Sequence, residues 1–282
     1  MLKRITGFLK EIRNNQRLAI GIAKGHASRD ARVVDPTRPA TWEFSGLSQN
    51  GEDGIIDVLR SRLRQSNRFC VEIGAAAGVQ NNTAWLICAH NYNGLLIEGD
   101  PELVAEADRT LTRCSIGLRY KHMFVTLESV RQVVQLAVER SPDLLSLDID
   151  GNDYHIAQAL FAEGMRPKIF VVEYNSAFGP ERSETIEYNP SFSFKQAHPT
   201  WLYYGVSIAA WKKLFATQGY RFVTVDQNGV NGFFVDPQYF DPEFLNGIKG
   251  LPFAENRFQQ TKFGGGHDRQ YPLIDGQKLV QV

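Results

Sequence analysis

Short apolar runs recur through the middle of the chain, and longer stretches with apolar positions three and four apart lie around them. The runs at 69–74, 94–98, 143–149 and 168–173 are brief and nearly unbroken, the pattern of strands buried on both faces. The stretches 52–64, 101–112, 128–140 and 153–163 carry helical spacing instead. Strand and helix in alternation imply βαβ units and a parallel sheet covered on both sides. After residue 175 the alternation stops. A polar, aromatic-rich stretch runs to about 204, then a helix near 206–218 and two runs at 220–225 and 231–235. Asp226-Gln227-Asn228-Gly229 joins those runs with an Asn-Gly turn signal, so the sheet is expected to finish in an antiparallel hairpin.

The ends read differently. Leu2, Ile5, Phe8, Leu9 and Ile12 share a helical face and Lys3, Arg4, Lys10 and Arg13 fill other positions, which predicts a basic amphipathic helix. Such a helix can dock on its own domain, lie on the inner face of an anionic membrane or pair with a second copy. A linker rich in Gly, Ser, Asp and Pro is expected over 25–41. The predicted organisation is helix and linker at 1–40, a main domain at 41–240 with an aromatic-rich insertion at 176–204, and an extension at 241–282.

Composition narrows the class. A chain of 282 residues, 43% hydrophobic and 22% charged, can bury one large core. Its 31 Lys and Arg balance 31 Asp and Glu, so no overall field recruits nucleic acid. Cys70, Cys88 and Cys114 are odd in number and lack CxxC spacing, which fits core thiols in a reducing compartment. No apolar run approaches the roughly 20 residues of a membrane span, and the expected location is cytoplasmic, at most peripheral to a membrane.

"FCVEIGAAAG", Phe69 to Gly78, passes from a strand into a turn of small residues, where a ligand can approach the backbone closely. In "LLIEGDP", Glu98 stands at a strand's carboxyl end, where a carboxylate can accept both hydroxyls of a ribose. The glycine fingerprint of dinucleotide folds fails, because Val79 holds its third position. Read as acid-x-Gly-x-small-x-Gly, the residues Glu72, Gly74, Ala76 and Gly78 match the first motif of class I S-adenosylmethionine-dependent methyltransferases. With Ser48-Gln49-Asn50-Gly51-Glu52-Asp53, Glu98 and Leu147-Asp148-Ile149-Asp150-Gly151, the chain resembles an FkbM-like class I methyltransferase over roughly 45–236. The resemblance implies a Rossmann-like α/β fold with a mostly parallel seven-stranded sheet and a C-terminal antiparallel hairpin. It implies S-adenosylmethionine as cofactor, with Glu72 and its loop beside the methionine part, Glu98 on the ribose and Asp100 on the same side. The other reading of Glu72 is that it merely satisfies backbone donors, and the cofactor reading is preferred.

"DLLSLDIDGND" then gathers Asp148, Asp150 and Asp153 around one glycine. Alternation along the strand puts Asp148 and Asp150 on one face, and Glu173 and Asn175 share a face at the end of the next strand. Crowded carboxylates must hold a proton, meet cations or bind a metal, and oxygen ligands suit Mg²⁺ or a similar hard ion. Metal-dependent catechol- and caffeoyl-CoA-type O-methyltransferases offer a second resemblance: Asp148 is similar to their first metal ligand, and Glu173-Tyr174-Asn175 approximates their Asp-Asn pair with one residue inserted and Glu for Asp. Gly151 stands where those enzymes place a lysine. The expected metal set is Asp148, Glu173 and Asn175; the expected catalytic set is Asp148 and Asp150 with His155 as base, while Asp153 reads as a helix cap. Rings at 176–204 suit a saccharide face, and "FGGGHDRQ", Phe263–Gln270, has a glycine content that permits closure over a site. The expected activity is O-methylation of a saccharide or glycan-like hydroxyl with a divalent metal. Metal-independent methylation of a secondary metabolite, or a nicotinamide-dependent oxidoreductase or epimerase, is the alternative.

Overall fold

The structure, a computed structural model, describes residues 2–111 and 114–282. Its strands are β1 Phe69–Ile73, β2 Asn93–Glu98, β3 Leu118–His122, β4 Leu144–Leu147, β5 Ile169–Glu173, β6 Glu184–Ile186, β7 Arg221–Val225, β8 Asn231–Val235 and β9 Leu279–Gln281. Among the described residues, seven of these form one sheet in the order β3-β2-β1-β4-β5-β8-β7. The first five strands of that order pair in parallel, and β8 runs antiparallel to both β5 and β7. This is the Rossmann-like, mostly parallel sheet with a closing hairpin that the sequence predicts. Gly229 turns the hairpin in a left-handed conformation, φ +73°.

The helices in chain order are α1 Leu2–Ala31, α2 Glu52–Ser61, α3 Ala84–His90, α4 Pro101–Leu111, α5 Val130–Leu136, α6 Asp153–Ala162, α7 Phe194–Ala197, α8 Ile208–Thr217, α9 Pro242–Gly247, α10 Arg257–Phe263 and α11 His267–Gln270. Strand alternation splits the core between the two sheet faces. Val71, Ile73, Leu95, Ile97, Leu145, Leu147 and Phe170 pack on one side with α5, α6 and α8. Cys70, Leu96, Leu144, Ile169, Val171 and Phe233 pack on the other with α2 and α3. Both faces are dry, which is why the strands read as continuous apolar runs.

Three expectations change. Instead of a linker from residue 25, α1 continues to Ala31, and a short coil and a turn at Pro39–Thr41 follow. Gly21 and Gly25 let this helix lie against Gly46, Leu47 and the Trp85 ring, and a Cβ at either would overlap them. The amphipathic pattern at Leu2, Ile5 and Phe8 falls on side chains outside those described, while Leu9 and Ile12 are exposed. Second, β3 and α3 were not predicted. β3 reads Leu-Arg-Tyr-Lys-His because it is an edge strand, and α3 is so thoroughly buried that it lacks a polar face. Third, the strand expected to 149 stops at Leu147, where Asp148 N–H still donates to the Ile73 carbonyl at 3.0 Å.

The aromatic insertion folds with the C-terminal extension. β6 pairs with β9, and Phe178, Ile186, Leu202, Tyr203, Tyr271 and Ile274 make a third, smaller core. Ordinary packing thus accounts for about half of the rings at 176–204. Phe192, Phe194, Trp201 and Tyr204 are the ones that reach cavity walls. Among the described residues, no helix is long and apolar enough to cross a membrane.

Candidate functional site

The carboxyl ends of β1, β2, β4 and β5 open into one cleft of about 1130 Å³. Its lining includes backbone in left-handed conformations, Gly74 at φ +88°, Ala76 at +45°, Gln80 at +74° and Asp150 at +54°, with Gly78 at +73° in the same turn. Left-handed residues gathered at strand ends mark a place where function sets the backbone. Gly74 admits no side chain, because a Cβ would overlap the Asp148 carbonyl oxygen. Gly78 is the close-packing position: a Cβ there would stand 2.8 Å from Leu111 Cδ1 and 3.0 Å from Ala107 Cβ on α4. That role falls one residue before Val79, as the acid-x-Gly-x-small-x-Gly reading requires and the dinucleotide fingerprint does not.

Glu98 ties the loop to the next strand. One carboxylate oxygen accepts from Ala76 N–H at 2.9 Å and the other from Asp100 N–H at 2.9 Å. A carboxylate has about four acceptor sites, so roughly two remain for a ligand's hydroxyls. Asp100 lines the cleft but spends Oδ1 on Glu102 N–H at 2.8 Å, capping α4. Glu72 is turned to the protein as well as to the cleft. It accepts from Asn82 N–H at 2.8 Å, from Thr83 N–H at 3.3 Å and from the Thr83 hydroxyl. It therefore braces the loop, and burial, opposed by these bonds, raises its carboxyl to about 7. Asn82 Nδ2 donates to Ser146 Oγ at 3.0 Å, fastening the same loop to β4.

At the other end of the cleft, Asp148, Asp150 and Glu173 each present a carboxylate oxygen, all within 4.8 Å of one another. Burial, then the Asp150 and Asp153 charges, pushes Asp148 well above the carboxylate range. Burial and the Asp148 charge do the same to Glu173. Asp150 rises to about 6, again from burial first and Asp153 next, with Lys195 opposing. Oxygens on opposite sides of an octahedral Mg²⁺ stand about 4.2 Å apart and on Ca²⁺ about 4.8 Å, from bond lengths near 2.1 and 2.4 Å. The trio fits a hard divalent ion.

Two expected residues stay outside. Asn175 is fully buried, with Nδ2 donating to the Leu202 and Tyr204 carbonyls at 2.7 and 3.0 Å and Oδ1 accepting from Ala177 N–H at 3.0 Å. β5 ends at Glu173 and the chain turns away, so the alternation that paired Glu173 with Asn175 does not extend that far. Asp150 takes its place in the cluster. His155 lies two residues into α6 and does not line the cleft; its Nε2 meets the Ile186 carbonyl at 2.9 Å and its ring edges Tyr188. Asp153, read from sequence as a cap, opens α6 and instead braces the turn before it, accepting from Ile149 and Gly151 N–H, each at 2.8 Å.

Other cleft residues lacked a sequence signal for chemistry. Asn231 on β8 lines the cleft and donates Nδ2 to Glu52 Oε1 at 2.8 Å, while its buried Oδ1 has no hydrogen-bond partner. Glu52 also receives Asn50 Nδ2 at 2.9 Å, and Asp53 Oδ2 gathers the N–H groups of Gly46, Leu47 and Ser48 at 2.6–2.9 Å. The segment Ser48–Asp53 thus arrives as a folded wall. Its likeness to a family motif marked it, without indicating which atoms face the ligand.

No family model and no curated protein sequence matches the chain. Among solved structures, it is similar to an O-methyltransferase from Bacillus cereus in complex with S-adenosylhomocysteine, at 14% identity and TM-score 0.42 over 78% of this chain and 89% of that one. An S-adenosylmethionine-dependent methyltransferase from Clostridium acetobutylicum aligns at 13% identity and TM-score 0.41, over 65% and 89% of the two chains. Another from Thiobacillus denitrificans, in complex with S-adenosylhomocysteine, aligns at 13% identity and TM-score 0.38, over 70% of each. Likeness at this level leaves the chemistry to be read from the cleft itself.

Proposed function

We propose that the protein is an S-adenosylmethionine-dependent O-methyltransferase that acts on a hydroxyl of a saccharide or glycan-like acceptor, assisted by a divalent cation. One juxtaposition carries this reading: a single cleft holds the small-residue loop with Glu98 at one end and three convergent carboxylates at the other. A dinucleotide enzyme needs the first feature in another spacing and has no use for the second. Bound there, the cofactor would supply an electrophilic methyl group and the ion, held by Asp148, Asp150 and Glu173, would acidify the acceptor hydroxyl.

The chain's own residues have distinct tasks. Glu98 accepts the cofactor's ribose hydroxyls with the lone pairs its two N–H bonds leave free. Gly74 and Ala76 give the cofactor a floor of backbone and a single methyl group, and Asn231 lines the same cleft. A carboxylate oxygen of the trio that is not spent on the ion would take the proton that leaves the acceptor hydroxyl. An alcohol is a poor nucleophile: water's pKa of 15.7 falls to about 7 on a metal, roughly 12 kcal/mol, whereas a positioned base contributes only about 10²–10⁴-fold. A sugar hydroxyl therefore gains most from carboxylates that can hold an ion.

The test is transfer of a labelled methyl group to a panel of saccharides, with and without chelator. Labelled ether is expected, lost with chelator and restored by Mg²⁺ or Mn²⁺, and Asp148→Asn or Glu173→Gln should lower turnover by about 10²–10⁴-fold. Full-rate transfer in chelator would remove the ion and leave the carboxylates as base. Unchanged transfer in both variants would overturn the mechanism.

A further inference from the structure

A second chamber of about 510 Å³ adjoins the cleft and shares five wall residues with it: Gln49, Asn50, Asp150, Phe194 and Val230. These form the neck between the two spaces, and Asp150 of the carboxylate trio stands in it. Beyond the neck the wall changes character. Asp150 is the one carboxylate on it, while α10 contributes Arg257 and Lys262. The Arg257 guanidinium makes no hydrogen bond or close ion pair among the described residues, and the nearby charge that acts with it is the Glu43 carboxylate. Lys262 Nζ is steadied by the Thr200 carbonyl at 3.3 Å and lies 4.9 Å from the centre of the Trp201 ring.

Trp201 is the second unusual feature. Its backbone is left-handed, φ +65°, a conformation bulky residues rarely adopt, and the ring is 48% exposed while Trp42, Trp85 and Trp211 are fully buried. A strained backbone that displays an indole at a cavity wall, with the Lys262 ammonium against its ring and Arg257 on the same wall, is poorly explained as packing. A flat ring accepts the apolar face of a sugar, and two cationic side chains lining the same chamber favour an anionic oxygen group over a neutral hydroxyl.

We propose that this chamber receives the non-reacting part of the acceptor, and that the acceptor carries an anionic oxo group, carboxylate or phosphate, bound by Arg257 and Lys262 while its ring lies on Trp201. The inference rests on the methyltransferase reading and adds the substrate's charge. It also gives α10, in the C-terminal extension, a task that the methyl-transfer end of the cleft does not require.

The experiment uses the full chain saturated with S-adenosylhomocysteine, with tryptophan fluorescence following titration by a uronic-acid disaccharide, a hexose phosphate and a neutral disaccharide. One anionic probe should bind at least about 10-fold more tightly than the neutral one, and which anion does so separates carboxylate from phosphate recognition. Arg257→Gln combined with Lys262→Gln should abolish that preference and leave S-adenosylhomocysteine affinity, measured by calorimetry, unchanged. A neutral disaccharide within about twofold of both anions, a preference that survives the double variant, or no response to any probe would overturn the inference and leave the methyltransferase reading standing. Failure of S-adenosylhomocysteine to bind the wild-type chain would instead remove that reading, and this inference with it.

Discussion

Glu98 shows what a single position reveals before any coordinates. A carboxylate at the carboxyl end of a parallel strand points into the crevice whatever the surrounding sequence, so its place was legible from the apolar run before it. Its two backbone partners, Ala76 and Asp100, leave two acceptor sites toward the cleft. Removing them should be felt in cofactor affinity far more than in folding. Glu98→Ala is expected to weaken S-adenosylhomocysteine binding by about 10- to 100-fold, the worth of hydrogen bonds to a charged group, with a thermal midpoint within a few degrees of wild type. Calorimetric titration checks this, and wild-type affinity would exclude Glu98 from the ribose site. Asn175 and His155 show the opposite case. Asn175 was placed by extrapolating a period past the point where a strand ends, and His155 by its nearness in sequence to the carboxylates. β5 stops at Glu173, and His155 on α6 does not line the cleft. Where a strand stops depends on which backbone groups neighbouring segments capture, here Val230 and Val206 taking Tyr174 and Asn175 N–H, and local pattern does not encode that.

Elements were legible to the degree that they carry a contrast between faces. The four central strands and the hairpin announced themselves by apolar density, and α4 and α6 by period. The edge strand β3, with Arg119, Lys121 and His122, and the immersed α3 lack that contrast in opposite ways. The glycines of α1 were misread for a related reason, since Gly signals flexibility in sequence but close approach in a packed helix. At Gly25 the two meanings predict opposite signs. In an exposed helix Gly→Ala stabilises by up to about 1 kcal/mol through propensity alone. Here the new methyl would overlap the Trp85 ring, itself fully buried and held by Phe44 and His26. Gly25→Ala is therefore expected to destabilise the protein by about 1–3 kcal/mol, as overpacking does, read as a lower midpoint in chemical denaturation. A higher midpoint would mean that α1 is not seated on α3.

Across the whole molecule, buried acids are held mostly by backbone N–H groups, with few buried cations, and this sets how stability responds to pH. Burial raises Asp53, Glu72 and Glu43 to about 7, in each case against the pull of their hydrogen bonds, and raises Asp226 to about 8, with Glu52 adding to the effect. Each group binds its proton more tightly folded than unfolded. Its contribution is fully present below the unfolded carboxyl range near 4 and is lost as pH rises through 7 to 8. Asp57 and Asp143 act in the other direction. Despite burial, hydrogen bonds from His90 and Arg60 lower Asp57 to about 2, and Lys168 lowers Asp143, so their contributions are present above about pH 4 and are lost below it. The opposing sets leave a maximum between them. Thermal midpoints should peak near pH 5 and fall by about 5–10 °C toward pH 8, an acid-shifted profile for a chain whose formal charge is zero at neutrality. Scanning calorimetry at fixed ionic strength distinguishes this from screening, because added salt weakens exposed charge pairs but leaves the cost of ionising a buried carboxyl. A midpoint that is flat or rises between pH 5 and 8 would show that these carboxyls are solvated in the folded chain, and that the polar wall from Glu43 to Asp226 does not close as described.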